Sequence, residues 1–331
     1  MASGKILRQL IKAGSYGDVL TFKQVSEVVI REERQKQHHL LANDLEKILY
    51  GDFNRQGVVS IRLSERIPTD SERGLPLLVI KEPGRNLDEV VLSEENRSAL
   101  EDILEQHHRV DVLKSYGLRP ADKILFCGPP GCGKTLTAEV IATELGRPLS
   151  LIRLDSVVSS YLGETASNLR KVFDFVDFEP MVALIDEFDA LGKERGDTSE
   201  HGELKRVVNS VLQMLDAYQG KSLIIAATNH EGMLDTAVWR RFEEIMAFAP
   251  PTHEQLIQLL KIKLRGVRRD FEVDDEQVLS LFVDMSHADV ERIIRRAVKE
   301  MILKGQEFLQ FRHVKKAQQR EQDRRQQLIG R

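Results

Sequence analysis

Apolar residues in the middle of the chain fall into short continuous runs, separated by longer segments with helical spacing. The runs predict buried β-strands, because a strand covered on both faces has no polar side to show. The five predicted strands are Ile124–Cys127, Leu149–Leu154, Val182–Asp186, Leu223–Thr228 and Ile245–Phe248. Strands that alternate with helices form parallel sheets. The pattern therefore predicts an α/β fold, a parallel five-stranded sheet with helices on both faces.

Both ends of the chain carry helical spacing. It predicts a small helical N-terminal domain, and an all-helical lid after Pro250-Pro251. Glycine, proline, serine and mixed charge predict a linker after the first domain, with a short strand at Leu77–Ile80. The predicted divisions are residues 1–50 for the helical N-terminal domain, 51–85 for the linker, 86–249 for the α/β domain, 250–311 for the lid and 312–331 for a basic C-terminal tail.

The first predicted strand leads into a phosphate loop with the pattern G-x-x-x-x-G-K-T, which in turn starts a helix. This order of strand, loop and helix is the context in which the motif binds nucleotide phosphates. Glycines let backbone N–H groups approach a polyphosphate, Lys134 reaches the β- and γ-phosphates, and the Thr135 hydroxyl suits Mg²⁺. The predicted nucleotide contacts in this stretch are Gly128, Pro129, Pro130, Gly131, Cys132, Gly133, Lys134, Thr135 and Leu136.

Two carboxylates and an amide stand at the ends of the next buried strands. Asp186 and Glu187 end the third predicted strand, and Asn229 follows the fourth. Ligands of open α/β sheets bind at the carboxyl ends of the strands, so these side chains should meet the phosphate loop. We assign Asp186 to Mg²⁺, Glu187 to deprotonation of the attacking water, and Asn229 to the water or the γ-phosphate. The site should therefore hydrolyse a nucleotide.

Composition and charge limit the cellular location and the classes of partner that are expected for this protein. The chain of 331 residues has a net charge of −4 and two cysteines. The acidic balance does not favour a nucleic-acid partner, and the cysteine positions do not indicate a disulfide framework. No apolar run reaches the roughly 20 residues that cross a bilayer, and the N-terminus lacks a signal-peptide core. We expect a cytoplasmic protein without a membrane or nucleic-acid partner.

The motifs resemble, in order and spacing, those of the AAA ATPases in the narrow sense, which include katanin, spastin and the ATPase of membrane-bound bacterial proteases. The resemblance covers roughly residues 86–310 and rests on Gly128–Thr135, Leu184–Ala190, Ala226–Asn229 and Leu234–Phe242. Within the family, the chain looks most like small single-ring bacterial members. Some of those are encoded beside a subtilisin-like protease and linked to plasmid or phage conflict.

The resemblance implies ATP with Mg²⁺ as the ligand and a homo-oligomeric ring, a hexamer, with ATP between subunits. It implies that Arg240 and Arg241 act on the γ-phosphate of the neighbouring subunit, as arginine fingers. These assignments go beyond what two adjacent arginines show by themselves.

The resemblance also implies two contacts outside the hydrolytic centre. Tyr161, Leu162 and Gly163 would form a pore loop that grips an extended polypeptide. Ala288 would lie near the adenine, in a Ser-His-Ala-Asp stretch where His287 stands in place of the family's glycine.

Three functions follow from these assignments. The expected one is a protein-remodelling motor that threads a polypeptide substrate, with any proteolysis supplied by a separate partner protease. The alternatives are an AAA+ machine acting on nucleic acid and a nucleotide-switched adaptor with little turnover. The acidic net charge and the aromatic pore loop disfavour action on nucleic acid. The full set of hydrolytic residues disfavours an adaptor with little turnover.

Overall fold

The computed structural model describes residues 67–70, 74–157, 162–191, 210–230, 232 and 236–329, with single helical positions at 12, 25, 26, 28 and 29. The chain divides into two compact units, Met1–Arg66 and Ile67–Arg331. Most of the predicted N-terminal helical domain lies outside the described residues, and the α/β fold belongs to the second unit.

A six-stranded sheet forms the centre of the second unit, in the order β1-β3-β4-β5-β2-β6. Its strands are β1 (Leu78–Lys81), β2 (Lys123–Cys127), β3 (Leu149–Ile152), β4 (Val182–Ile185), β5 (Leu223–Thr228) and β6 (Glu244–Ala247). Strands β2 to β6 pair in parallel, which confirms the predicted α/β class. Every residue of β4 and β5 is buried, which explains their continuous apolar sequences.

The observed strands agree with the predicted ones to within one residue at each end, except for β3. Strand β1 corresponds to the short strand predicted at Leu77–Ile80 within the linker; it pairs antiparallel with β3 and adds a sixth strand to the predicted five-stranded sheet. Strand β3 ends at Ile152, because Leu154 starts a helix instead of closing the strand.

Helices cover the sheet and build the lid. Those described are α1 (Glu94–His108), α2 (Val110–Ser115), α3 (Lys134–Glu144), α4 (Leu154–Val157), α5 (Leu162–Phe178), α6 (Thr236–Trp239), α7 (His253–Lys263), α8 (Glu276–Leu279), α9 (His287–Leu303) and α10 (Phe311–Ile329), with 3₁₀ turns at Leu87–Glu89, Phe188–Leu191 and Ser280–Phe282 and helical residues at 210–217. Arg109 separates α1 from α2. None of the described helices combines the length and apolarity that a membrane crossing needs.

The lid helices α7 to α10 enclose a second apolar core, which includes Leu260, Val290 and Leu309. Val91, from the segment before α1, packs into the same core. Helix α10 also contributes Val314 to it, and lies along α9. The stretch predicted to be a basic tail, 312–331, thus continues the lid over its described length.

Candidate active site

Three neighbouring strands place the predicted catalytic groups at one edge of the sheet. Strand β5 lies between β4 and β2, all in parallel. The carboxyl end of β4 leads into Asp186, that of β5 into Asn229 and that of β2 into Gly128. The strand order therefore brings together residues that are far apart in the chain, at the edge where α/β proteins bind ligands.

The glycines of the phosphate loop hold backbone conformations that other residues rarely adopt. The φ angles of Gly128, Gly131 and Gly133 are 135°, 80° and 102°. A Cβ on Gly128 would lie 1.9 Å from the carbonyl oxygen of Phe248, so only glycine fits there. Gly133 is the N-cap of α3, whose first N–H groups are available to an anion.

Lys134 is fixed inside the loop by three acceptors. Its Nζ donates to the carbonyl oxygens of Gly128 and Pro129, at 2.6 and 3.0 Å, and to Asn229 Oδ1 at 2.9 Å. The side chain is 6% exposed, and burial lowers the pKa of its ammonium group. The structure thus joins the phosphate loop to the polar tip of β5.

Oxygen ligands for a hard cation meet beside Lys134. Thr135 Oγ1 donates to Asp186 Oδ2 at 3.0 Å, and Asp186 Oδ1 accepts the backbone N–H of Glu187 at 2.8 Å. Hydroxyl and carboxylate oxygens are the donors that Mg²⁺ prefers. The Glu187 side chain is exposed, and its φ of 52° is uncommon for a residue with a Cβ. Glu187 follows the end of β4 after one residue, Asp186, and both residues line the same cavity.

A buried carboxylate supports Asn229, and sequence reasoning gave it no role. Asp189 is 2% exposed, and its Oδ1 accepts the backbone N–H of Asn229 at 3.1 Å and the Thr228 hydroxyl at 3.3 Å. Its place in the 3₁₀ turn after Glu187 links the ends of β4 and β5. The available signal was the spacing of three residues between Asp186 and Asp189, one turn of such a helix.

Replacing Asp189 with alanine should lower kcat for ATP by roughly 10- to 100-fold, since a hydrogen bond to a charged group contributes about 1.5–3 kcal/mol. ADP affinity should stay near the wild-type value, because the phosphate loop keeps its own contacts. Asp189→Asn retains an acceptor and should recover most of the rate. Equal loss of ADP affinity and kcat in Asp189→Ala would contradict a role in holding Asn229; steady-state kinetics and ADP titration separate the two.

A cavity of about 350 Å³ opens over the phosphate loop and reaches the lid. Small-molecule sites commonly occupy about 300–1,000 Å³. Predicted site residues that line it are Pro130, Gly131, Cys132, Gly133, Lys134, Thr135, Leu136, Asp186, Glu187, Asn229 and Ala288. Gly128 and Pro129 lie outside the lining and take part through their carbonyl bonds to Lys134.

The far end of the cavity is built from residues that the sequence did not indicate. Val91 and Leu259 give it an apolar wall, and Glu89, Lys263 and Glu291 give it charge. Lys263 Nζ lies 2.7 Å from Glu291 Oε2. These residues come from the turn before α1 and from α7 and α9, and no local motif joins them.

His287 and Ala288 start helix α9 and line the cavity. The Ala288 N–H donates to the carbonyl oxygen of Gly131 at 3.0 Å, so the lid contacts the phosphate loop directly. Both ring nitrogens of His287 are buried without a hydrogen-bond partner among the described residues. Burial, and then the charge of Lys263, lower the pKa of His287. Its surroundings therefore favour the neutral form of the imidazole.

Arg240 and Arg241 are described by the structure and lie outside the lining of the cavity. Arg240 is exposed after α6, while Arg241 Nε donates to Asp216 Oδ2 at 3.0 Å. Tyr161 lies outside the described residues, and Leu162 and Gly163 are the first residues of α5 rather than part of a loop.

Known proteins are similar to this chain in sequence. The model of the ATPase family associated with various cellular activities (AAA) matches residues 124–250. An uncharacterized AAA family ATPase of Sinorhizobium fredii, y4kL, is 40% identical over 325 residues, 98% of this chain and 97% of that protein. The ATP-dependent zinc metalloprotease FtsH of Helicobacter felis is 28% identical, over 74% of this chain and 40% of its own length. The 26S proteasome regulatory subunit S10B homolog B of Arabidopsis thaliana is 27% identical, over 77% and 66%. The chain therefore belongs to the AAA family of ATPases and is an ATP-hydrolysing enzyme.

Proposed function

We propose that this chain forms a homo-oligomeric ring, a hexamer, that uses ATP hydrolysis to thread polypeptides through a central pore. The observation that carries the proposal is the division of the hydrolytic groups. Lys134, Asp186 and Glu187 line one cavity, whereas Arg240 is exposed and outside its lining. An arginine in that position suits a nucleotide bound by a neighbouring subunit.

The names of two relatives support a function that acts on polypeptides. Both are named for protein degradation, as an ATP-dependent protease and a proteasome regulatory subunit. A motor that unfolds polypeptides suits such a setting. In this chain, His107 is buried in α1 with its Nε2 2.9 Å from the carbonyl oxygen of Ala121. His107 Nε2 is thus engaged with the backbone, and we assign any proteolysis to a separate partner.

The residues of the cavity fit ATP and Mg²⁺. Bound ATP with Mg²⁺ would supply the phosphoanhydride and a cation that neutralises charge on the phosphate oxygens. Lys134 would exchange one of its three present acceptors for a phosphate oxygen, while the oxygens of Thr135 and Asp186 would hold the cation. Glu187 would accept a proton from the attacking water, and Asn229, held by Asp189, would orient that water. Ala288 would contact the nucleoside from the lid.

Replacing Tyr161 with alanine tests threading apart from hydrolysis. We expect Tyr161→Ala to keep basal ATP turnover but to lose ATP-dependent binding of a fluorescently labelled, permanently unfolded polypeptide, measured by anisotropy. The reason is that an aromatic ring packs against any side chain of an extended substrate. Tyr161→Phe keeps the ring and is the matched control.

Two outcomes would refute threading by this residue. The first is unchanged polypeptide binding in Tyr161→Ala. The second is equal loss in the phenylalanine variant, which would assign the effect to the hydroxyl group. ATP turnover that rises with added DNA at physiological salt, and not with polypeptide, would favour the nucleic-acid function instead.

A further inference from the structure

The lid meets the phosphate loop through the first turn of α9. The Ala288 N–H donates to the carbonyl oxygen of Gly131 at 3.0 Å. A Cβ on Gly131 would lie 2.7 Å from Ser286 Oγ and 3.1 Å from Ala288 Cβ. Because the contact is this close, a small shift of the α9 terminus displaces the phosphate loop as well.

An acidic side chain fixes that first turn. Asp289 Oδ2 accepts the backbone N–H of Ser286 at 3.2 Å and its hydroxyl at 2.6 Å. The Ser286 hydroxyl in turn accepts the Asp289 N–H at 3.3 Å, which completes a capping box. Asp289 is therefore the residue that holds the loop-contacting end of the lid in place.

A single arginine joins Asp289 to the last helix of the chain. Arg292 Nη1 donates to Asp289 Oδ1 at 3.0 Å and to Glu321 Oε1 at 2.5 Å. Glu321 lies on α10. The contacts thus run without a gap from α10 through Arg292 and the capping box to Gly131.

Glu321 is a buried carboxylate among arginines. Its side chain is 2% exposed, and its oxygens lie 3.8 Å from Arg296 Nη1 and 3.3 Å from Arg324 Nη1, in addition to Arg292. A buried charge is costly unless it is paired, and removal of one partner leaves the others uncompensated. Arg292 and Arg296 belong to α9, so the carboxylate joins α10 to that helix.

We propose that Glu321 is a positioning residue for the nucleotide site, which makes α10 part of the machinery that binds ATP. It acts through Arg292 and Asp289, which hold the α9 terminus against Gly131. No described residue of α10 lines the cavity, so the effect is indirect. The inference rests on the proposed nucleotide contacts of that cavity and adds the C-terminal helix to them.

Glu321→Gln should weaken ADP binding roughly tenfold, within the range typical of coupling between linked sites. Arg292→Gln removes the same link from the other side and should have a similar effect. The double variant should bind ADP no more weakly than either single variant, because one connection is broken in all three. The full chain, calorimetric titration with ADP and thermal melts are the measurements.

Glu300→Gln is the matched control. Glu300, on α9, accepts hydrogen bonds from Lys304 and from Lys316 of α10, each at 2.7 Å. These bonds lower the pKa of its carboxyl group to about 2. It joins α9 and α10 as Glu321 does, but near the opposite end of α9 from Gly131. We expect it to lower the melting temperature and to leave ADP affinity unchanged.

Wild-type ADP affinity in Glu321→Gln and Arg292→Gln would overturn the proposal. Equal weakening in Glu300→Gln would also overturn it, because the effect would then be general loosening of the lid. If Glu321→Gln does not fold, Arg292→Gln decides, since that side chain is 40% exposed. A wild-type chain that binds no ADP would refute the nucleotide site itself, and with it this inference.

Discussion

Replacing Arg240 with alanine should lower kcat for ATP hydrolysis by about 10³–10⁵, the contribution of an arginine finger to phosphoryl transfer. Arg240 is exposed and does not line the cavity of its own chain, so we expect it to act on a neighbour's nucleotide. Arg241 is held by Asp216 in its own chain, so Arg241→Ala should have a smaller effect. Arg240→Lys should not recover the rate, because an ammonium group lacks the planar fork of a guanidinium. Steady-state turnover at saturating ATP measures all three.

A mixing experiment separates action on a neighbour from action within one chain. Lys134→Ala subunits cannot hold the phosphates but still carry Arg240, and Arg240→Ala subunits have the reverse defect. After subunit exchange, some interfaces combine an intact Lys134 with an intact Arg240, so the mixture should exceed the activity of either variant alone. A mixture no more active than its parts, or a wild-type monomer that hydrolyses ATP at the full rate, would contradict the shared site.

The centre of the fold was predictable because its strands are buried on both faces. A central parallel strand has no solvent side, so β4 and β5 appear in the sequence as unbroken apolar runs. The polar residues that end those runs then stand out. Asp186, Glu187 and Asn229 were found in this way, and the strand order brings their positions to one edge.

The periphery was harder to predict, because its signals are mixed. In β1, burial alternates with exposure and Val79 is 38% exposed, as suits an edge strand. The strand also lies among turn-forming residues, and these predict a linker for the surrounding stretch. In α10 the buried stripe includes Val314 and Ala317 but also His313 and Glu321. These polar residues interrupt the helical spacing of apolar residues in the sequence. The many basic residues of the stretch then predict a solvated tail.

The far end of the cavity had no sequence signal at all. Glu89, Lys263 and Glu291 belong to three separate elements that meet only when the lid packs against the segment before α1. Val91 is an example of this packing. It precedes α1 in the chain, but its side chain belongs to the apolar core of the lid. Contacts of this kind depend on tertiary structure, whereas the phosphate loop is a local motif.

Replacing Glu187 with glutamine should lower kcat by about 10²–10⁴, the usual contribution of a general base. Glutamine has the same shape and keeps the backbone N–H bond to Asp186, so nucleotide affinity should remain at the wild-type level. Only the ability to accept a proton is lost. The expected pattern is a low turnover rate with unchanged ADP titration, and an ATP-bound ring that persists in light-scattering measurements.

Asp186→Asn is the informative comparison, because the two acidic neighbours should fail in different ways. Asp186 shares its carboxylate between Thr135 and the Glu187 backbone, so its loss should raise the Mg²⁺ concentration needed for half-maximal rate. Glu187→Gln should leave that Mg²⁺ dependence unchanged and lower only the maximum. If both variants shifted the Mg²⁺ requirement equally, Glu187 would belong with the cation ligands and another group would have to activate the water. The Mg²⁺ titration therefore decides which carboxylate accepts the proton and which supports the metal.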